Sequence, residues 1–194
     1  MNGHAISENT WTWKLTFQWV AAIVVTALLA FLTYSRGGWV PLLSRADLGI
    51  HELGHLLAFW APALLVQFAG SFLQVAVPLC IGAYFWWRRD RFAVVLMGAW
   101  AAESLNNVSV YIYDATRMML PLVGDDGSGA GHDWRNILRR LGLLEHTDAI
   151  AYTVRGLSAL LFAAAAGLAV WWWVQARTDR SKGGEGAAPR RSWI

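Results

Sequence analysis

The run LLVQFAGSFLQVAVPLCIGAYFWW, residues 64–87, contains no charged side chain. As a helix rising 1.5 Å per residue it reaches about 36 Å, enough to cross the roughly 30 Å hydrocarbon core of a bilayer. Three further apolar stretches, 11–34, 92–113 and 149–174, extend the pattern, the second of them polar in its second half. Backbone inside lipid must satisfy its own hydrogen bonds, so such a chain is restricted to helices. The expected fold is all-α: a polytopic integral membrane helix bundle of about four spans plus one short re-entrant or tilted helix. The composition agrees, with 56% hydrophobic residues, 13 tryptophans and only 15% charged residues, against about 25% charged in an ordinary soluble domain. The first stretch is too long for a secretory h-region and no small-residue cleavage site follows it, so it reads as a span.

Charge placement gives the topology. The cluster RRDR at 88–91 and the tail RTDRSKGGEGAAPRRSWI are basic flanks and are expected to face the cytoplasm. The Gly- and Asp-rich loop from Arg117 to Thr147 then lies outside, with an amphipathic stretch WRNILRRLGLLEH at the interface. Residues 1–175 read as one membrane-embedded domain and 176–194 as a flexible cytoplasmic tail. The net charge of +3 follows from these span-end clusters and is no footprint for nucleic acid. Cys80 is the single cysteine, so there is neither a disulfide framework nor a cysteine-based zinc site.

Against this background, DLGIHELGHLLAFW at 47–60 stands out. Asp47 is placed as the N-cap of a helix that stops at Pro62, too short for a full crossing. His51 and His55 are four residues apart and share one helical face, where two imidazoles can bind one metal ion, zinc being the usual one. Glu52 beside them is placed to take a proton from water activated by that ion, the logic of H-E-x-x-H. A buried charge at the bilayer centre costs about 2.5–3.5 kcal/mol on insertion scales, so an idle glutamate there is disfavoured. The bland reading is a pair of interfacial histidines hydrogen-bonded to neighbouring helices.

A third ligand is needed. Glu103, Asn107 and Asp114 fall on one face of the third long stretch, and the outer loop adds His132 and Asp133. If the short helix is re-entrant from outside, His51, His55, Asp114 and His132 gather at one level, which ranks Asp114 first, His132 second and Glu103 third. A plain helix end for Asp114, or an interhelical hydrogen bond to Asn106 for Glu103, is the competing reading.

HELGHLLAFW, followed by the glycine-containing span AGSFLQVAVPL and an aspartate late in a further span, resembles the site-2 protease (M50-like) family of intramembrane zinc metallopeptidases. It is similar to small bacterial membrane proteins related to that family that carry a late loop like GDGSGHDW. GAGHDW itself is not part of the protease pattern, which makes His132 and Asp133 candidates for a variant site. The resemblance implies zinc held by His51, His55 and Asp114, Glu52 as catalytic base, and peptide-bond hydrolysis in or near a bacterial inner membrane. It also implies membrane lipids and a membrane protein or peptide substrate as partners. NNVSVYIYDAT lacks the proline and glycine that this family usually places around its aspartate. Two other readings use the same residues: a non-catalytic subunit of a membrane complex, with partner subunits packed on Gly70 and Ser71, and a metal-handling membrane protein.

Overall fold

The structure, a computed structural model, describes residues 3–122 and 131–186, with side chains over 16–122 and 131–178. Trp11, Trp13 and Lys14, which the sequence places as interface anchors at one end of the first span, have side chains outside this range, as do residues 123–130 of the Gly- and Asp-rich loop and residues 187–194. Six α-helices follow in order: α1 Gly3–Ser35, α2 Leu43–Leu57, α3 Ala63–Trp87, α4 Arg91–Asp114, α5 Asp133–Leu141 and α6 Thr147–Gly186, with a 3₁₀ turn at Leu144–His146 before α6. Every described element is helical.

Three helical segments, Thr16–Ser35, Ala63–Trp87 and Leu144–Thr178, are long and apolar enough to cross a membrane. Their outward faces stay apolar, as with Phe31 at 67% and Leu160 at 68% exposure. The interior meanwhile holds Asp47, Glu103, Ser104, Asn106 and Asp114, all buried. Apolar outside and polar inside is the arrangement expected when the surrounding solvent is hydrocarbon, and it points to membrane association.

Helix α4 is the central element, packed against α1, α3 and α6. Small residues let α6 approach it closely, since Ala165 and Ala169 join Trp19, Val95 and Trp172 in a buried cluster. Trp172 also marks one end of the bundle, where it meets Trp86 at 5.9 Å and lies under the Arg91 guanidinium. At the opposite end, Tyr34 Oη and Ser158 Oγ lie 3.1 Å apart, joining α1 to α6.

The chain leaves α1 at this second end and turns back into the bundle. Gly38, at φ +88°, passes so close to α4 that a Cβ would stand 2.8 Å from Val110 Cγ2. Helix α2 then starts halfway down α4, where Ser44 Oγ donates to Glu103 Oε1 at 3.1 Å, and climbs back until His51 faces Tyr111. Its 15 residues span about 22 Å. The short helix thus belongs to a segment that enters and leaves by one end, as a re-entrant element does.

Two boundaries differ from the sequence reading. Helix α2 begins at Leu43, so Asp47 is no N-cap. Its carboxylate is fully buried, accepting from Trp100 Nε1 at 2.9 Å and from Ser104 Oγ at 3.0 Å. The reason is periodic: Asp47 precedes His51 by one turn and shares its inward face. At the other terminus, α6 continues past the last apolar residues to Gly186, because extending a formed helix adds one hydrogen bond for each residue fixed.

Candidate metal centre

Helix α2 lies against α3 at backbone distance, and glycines make this approach feasible. A Cβ on Gly54 would collide with the Ala69 carbonyl, and one on Gly70 would stand 2.6 Å from His51 Nε2. The His51 ring therefore lies flat over a bare stretch of α3. His55, one turn on, meets His51 with ring centroids 4.7 Å apart.

Each ring has its Nδ1 engaged. His55 Nδ1 donates to the Val66 carbonyl at 2.8 Å. His51 Nδ1 lies 3.4 Å from Gln74 Oε1, and Gln74 uses its own NH2 on the Ser104 carbonyl and on Asn107 Oδ1. With both amide hydrogens committed, the Gln74 oxygen accepts from His51 Nδ1–H. Each imidazole is thereby held in the tautomer that leaves Nε2 as the ligating atom.

Both Nε2 atoms face the same oxygen. Asp133 Oδ2 is 3.2 Å from His51 Nε2 and 3.2 Å from His55 Nε2. Among the described residues, these three side chains form a group whose ligand atoms all lie within 4.8 Å of one another. Ligands bonded at about 2.0–2.2 Å around a tetrahedral ion stand about 3.4 Å apart. The two Nε2–Oδ2 separations of 3.2 Å are close to that edge, and the donor set of two imidazoles and a carboxylate suits a first-row divalent ion. Without an ion, the same atoms act as an ion pair. The hydrogen bond from Asp133 raises His55 above the ordinary imidazole value despite its burial. Burial pushes the Asp133 carboxyl up, but the two histidines outweigh it and draw it down to about 2. Glu52 points to the exposed side of α2, near enough for its charge to act on His55.

The side chain that joins the two histidines is Asp133, whereas Asp114 and His132, expected there from the sequence, stand apart from them. Asp114 Oδ1 accepts from Met119 N at 2.8 Å and Oδ2 from Leu120 N at 3.1 Å, closing the turn after α4. His132 is the N-cap of α5, its Nδ1 accepting from Arg135 N at 3.3 Å. Its Nε2 lies 3.4 Å from Asp114 Oδ2, so the two form a second, buried pair. Burial lowers the His132 pKa, only partly opposed by Asp114. The physical reason is register: at an N-cap the His132 ring turns back onto its own helix, and the next side chain, Asp133, projects toward α2.

Glu103 is not a ligand in this arrangement, nor does it bond Asn106. It is fully buried beside Asp47, held by Ser44 and one turn below His51 along α2. Sequence reading missed Gln74, Tyr111 and the inward role of Asp47. For Asp47 the signal was present in the i, i+4 spacing to His51; Gln74, polar within an apolar span, was another visible clue. Comparison of the chain with known protein families, with curated proteins and with solved structures finds no match, so the site stands on its own geometry.

Proposed function

We propose that the chain is a zinc-dependent peptidase embedded in a bacterial inner membrane, similar to the site-2 protease family, hydrolysing a peptide bond in or near the bilayer. In this reading α4 is a fourth span beside the three apolar ones, and α2 is re-entrant from the outer face. The observation that carries it is the convergence of His51 Nε2, His55 Nε2 and Asp133 Oδ2, with Glu52 on the adjoining open side of the same helix.

When bound there, zinc would supply Lewis acidity and bring the pKa of a coordinated water toward neutrality. His51 and His55 hold their Nε2 atoms toward the ion because Gln74 and Val66 fix the opposite nitrogens. Glu52, one residue from His51 and about 100° around the helix, accepts the proton of the attacking water and returns it to the leaving amine. The buried floor of Asp47, Ser104 and Glu103 keeps bulk water from the inner side of the ligands. Substrate reaches the site from the end of the bundle where α2 emerges, beside the exposed Phe59 and Trp60.

Replacement of Glu52 by Gln tests the reading. The variant should retain zinc at the wild-type stoichiometry and lose cleavage of a membrane peptide by about 100-fold or more. Undiminished cleavage would remove Glu52 from the reaction. A chain that holds zinc yet cleaves no membrane peptide, with an unchanged cellular phenotype in the Glu52 variant, would favour the non-catalytic subunit.

A further inference from the structure

We propose that Tyr111 is the positioning residue that makes Asp133 competent as the third metal ligand, an inference that rests on the metal-centre reading above. Asp133 is the first residue of the nine-residue α5, far in sequence from both histidines, whereas Tyr111 stands near the end of the central helix α4. The phenol oxygen grips Asp133 at two points: it donates to Oδ2 at 3.2 Å and accepts from the backbone N–H at 3.1 Å. The second bond also satisfies one of the N-terminal amides that a helix leaves without an internal partner. One hydroxyl thus sets where α5 begins relative to α4 and which way its first carboxylate points.

The oxygen held by Tyr111 is the same Oδ2 that faces both Nε2 atoms. A carboxylate oxygen has two lone pairs, so one can serve the phenol and the other an ion. The Asp133 side chain is 15% exposed, and without the phenol its rotamer is free to turn toward solvent and away from the histidines.

The ring itself is held on two sides. His132 stacks on it at 4.5 Å and 25°, and His51 meets it edge-on at 5.7 Å and 68°. His132 is in turn packed against Asp114. The pair Asp114–His132 therefore has a role after all: it backs the phenol that holds the ligand.

Loss of an outer partner of a metal ligand typically weakens metal affinity by about 10–100-fold. The test is a zinc titration against a competing chelator on the purified full chain in detergent. It compares wild type, Tyr111→Phe, Tyr113→Phe, Asp133→Ala, and Asp133→Ala combined with Tyr111→Phe. Tyr111→Phe should bind zinc about 10–100-fold more weakly, while Tyr113→Phe, on the same helix but away from Asp133, should match wild type. In the Asp133→Ala background the phenol has no carboxylate to hold, so removing the hydroxyl should change the residual affinity little. Wild-type affinity in Tyr111→Phe would overturn the inference. So would an equally large loss in the Asp133→Ala background, because the hydroxyl would then act on the fold in general. A wild-type chain that binds no zinc would overturn the metal-centre reading itself, and this inference with it.

Discussion

The molecule contains two histidine–aspartate sets near one end of its bundle, and they are built in opposite ways. In His132–Asp114, most polar atoms are engaged locally: backbone N–H groups of Met119 and Leu120 take the carboxylate oxygens, and Arg135 N–H takes His132 Nδ1. The buried His132 Nε2 lies 3.4 Å from Asp114 Oδ2 without a hydrogen-bond partner among the described residues. In His51–His55–Asp133, Gln74 and Val66 fix the two Nδ1 atoms and Tyr111 holds Asp133, while both Nε2 atoms and Asp133 Oδ2 converge on one another. The first arrangement commits its carboxylate and one ring nitrogen to backbone amides and so braces a turn. The second is braced from outside and keeps its ligating atoms turned inward. Residue type does not distinguish a ligand from a clamp; what its other polar atoms are bonded to does.

The sharpest way to break this contrast is steric. Gly70→Ala places a methyl 2.6 Å from His51 Nε2, so the ring must move beyond the roughly 0.2 Å tolerance of a metal–ligand bond. Zinc affinity should fall by on the order of 100-fold or more. Gly98→Ala meets only Ala165 Cβ at 3.5 Å, an ordinary contact, and should bind as wild type does. Equal affinity in both variants would mean that His51 does not ligate in this pose.

The His132–Asp114 pair should answer to stability instead. Asp114→Asn replaces an oxygen that accepts a backbone N–H and should cost about 2 kcal/mol in unfolding free energy, with zinc affinity changed far less than for any ligand. Chemical denaturation and chelator competition on one sample separate the two effects. Gln74→Leu tests the outside bracing of the open set. The volume is nearly kept while the acceptor for His51 Nδ1–H is lost, so affinity should fall by about 10-fold with the fold intact. A stability loss without an affinity loss would reverse the assigned role.

The smallest effect is the dependence on pH. Asp133 is held at about 2 and His55 above the usual imidazole value by their mutual contact. The Asp133 contribution to the metal-free fold is present above the ordinary carboxylate range and is lost as pH falls toward about 2. The His55 contribution is fully present below the ordinary imidazole value and is lost as pH rises through the raised one. The metal-free protein should therefore gain most from this pair at mildly acidic pH. Zinc competes with the His55 proton, so its affinity should fall as pH drops through that raised value. A nitrogen-resolved titration of His55 checks this, and Asp133→Asn should return it toward the ordinary range.

Much of this was legible in the sequence. The apolar stretches located α1, α3, α4 and α6, and the shortness of the helix before Pro62 announced a segment that turns back. HELGH located two of the three clustered side chains, because helical spacing alone puts His51 and His55 on one face. The third member of the cluster was harder for a physical reason. His132 and Asp133 are neighbours with similar chemistry, and the start of α5 decides between them. That start is fixed by the Tyr111 hydroxyl and the His132 cap, contacts that no local pattern encodes. Asp47 was misplaced as a cap because capping preference was weighed ahead of its one-turn spacing from His51.

The central claim is that the set His51–His55–Asp133, and not the pair His132–Asp114, holds the ion. Bound zinc per purified chain, measured side by side in Asp133→Ala and Asp114→Ala at a free zinc level that saturates wild type, tests it directly. The account predicts near-complete loss in Asp133→Ala and near-wild-type occupancy in Asp114→Ala. Loss in Asp114→Ala with retention in Asp133→Ala would contradict it.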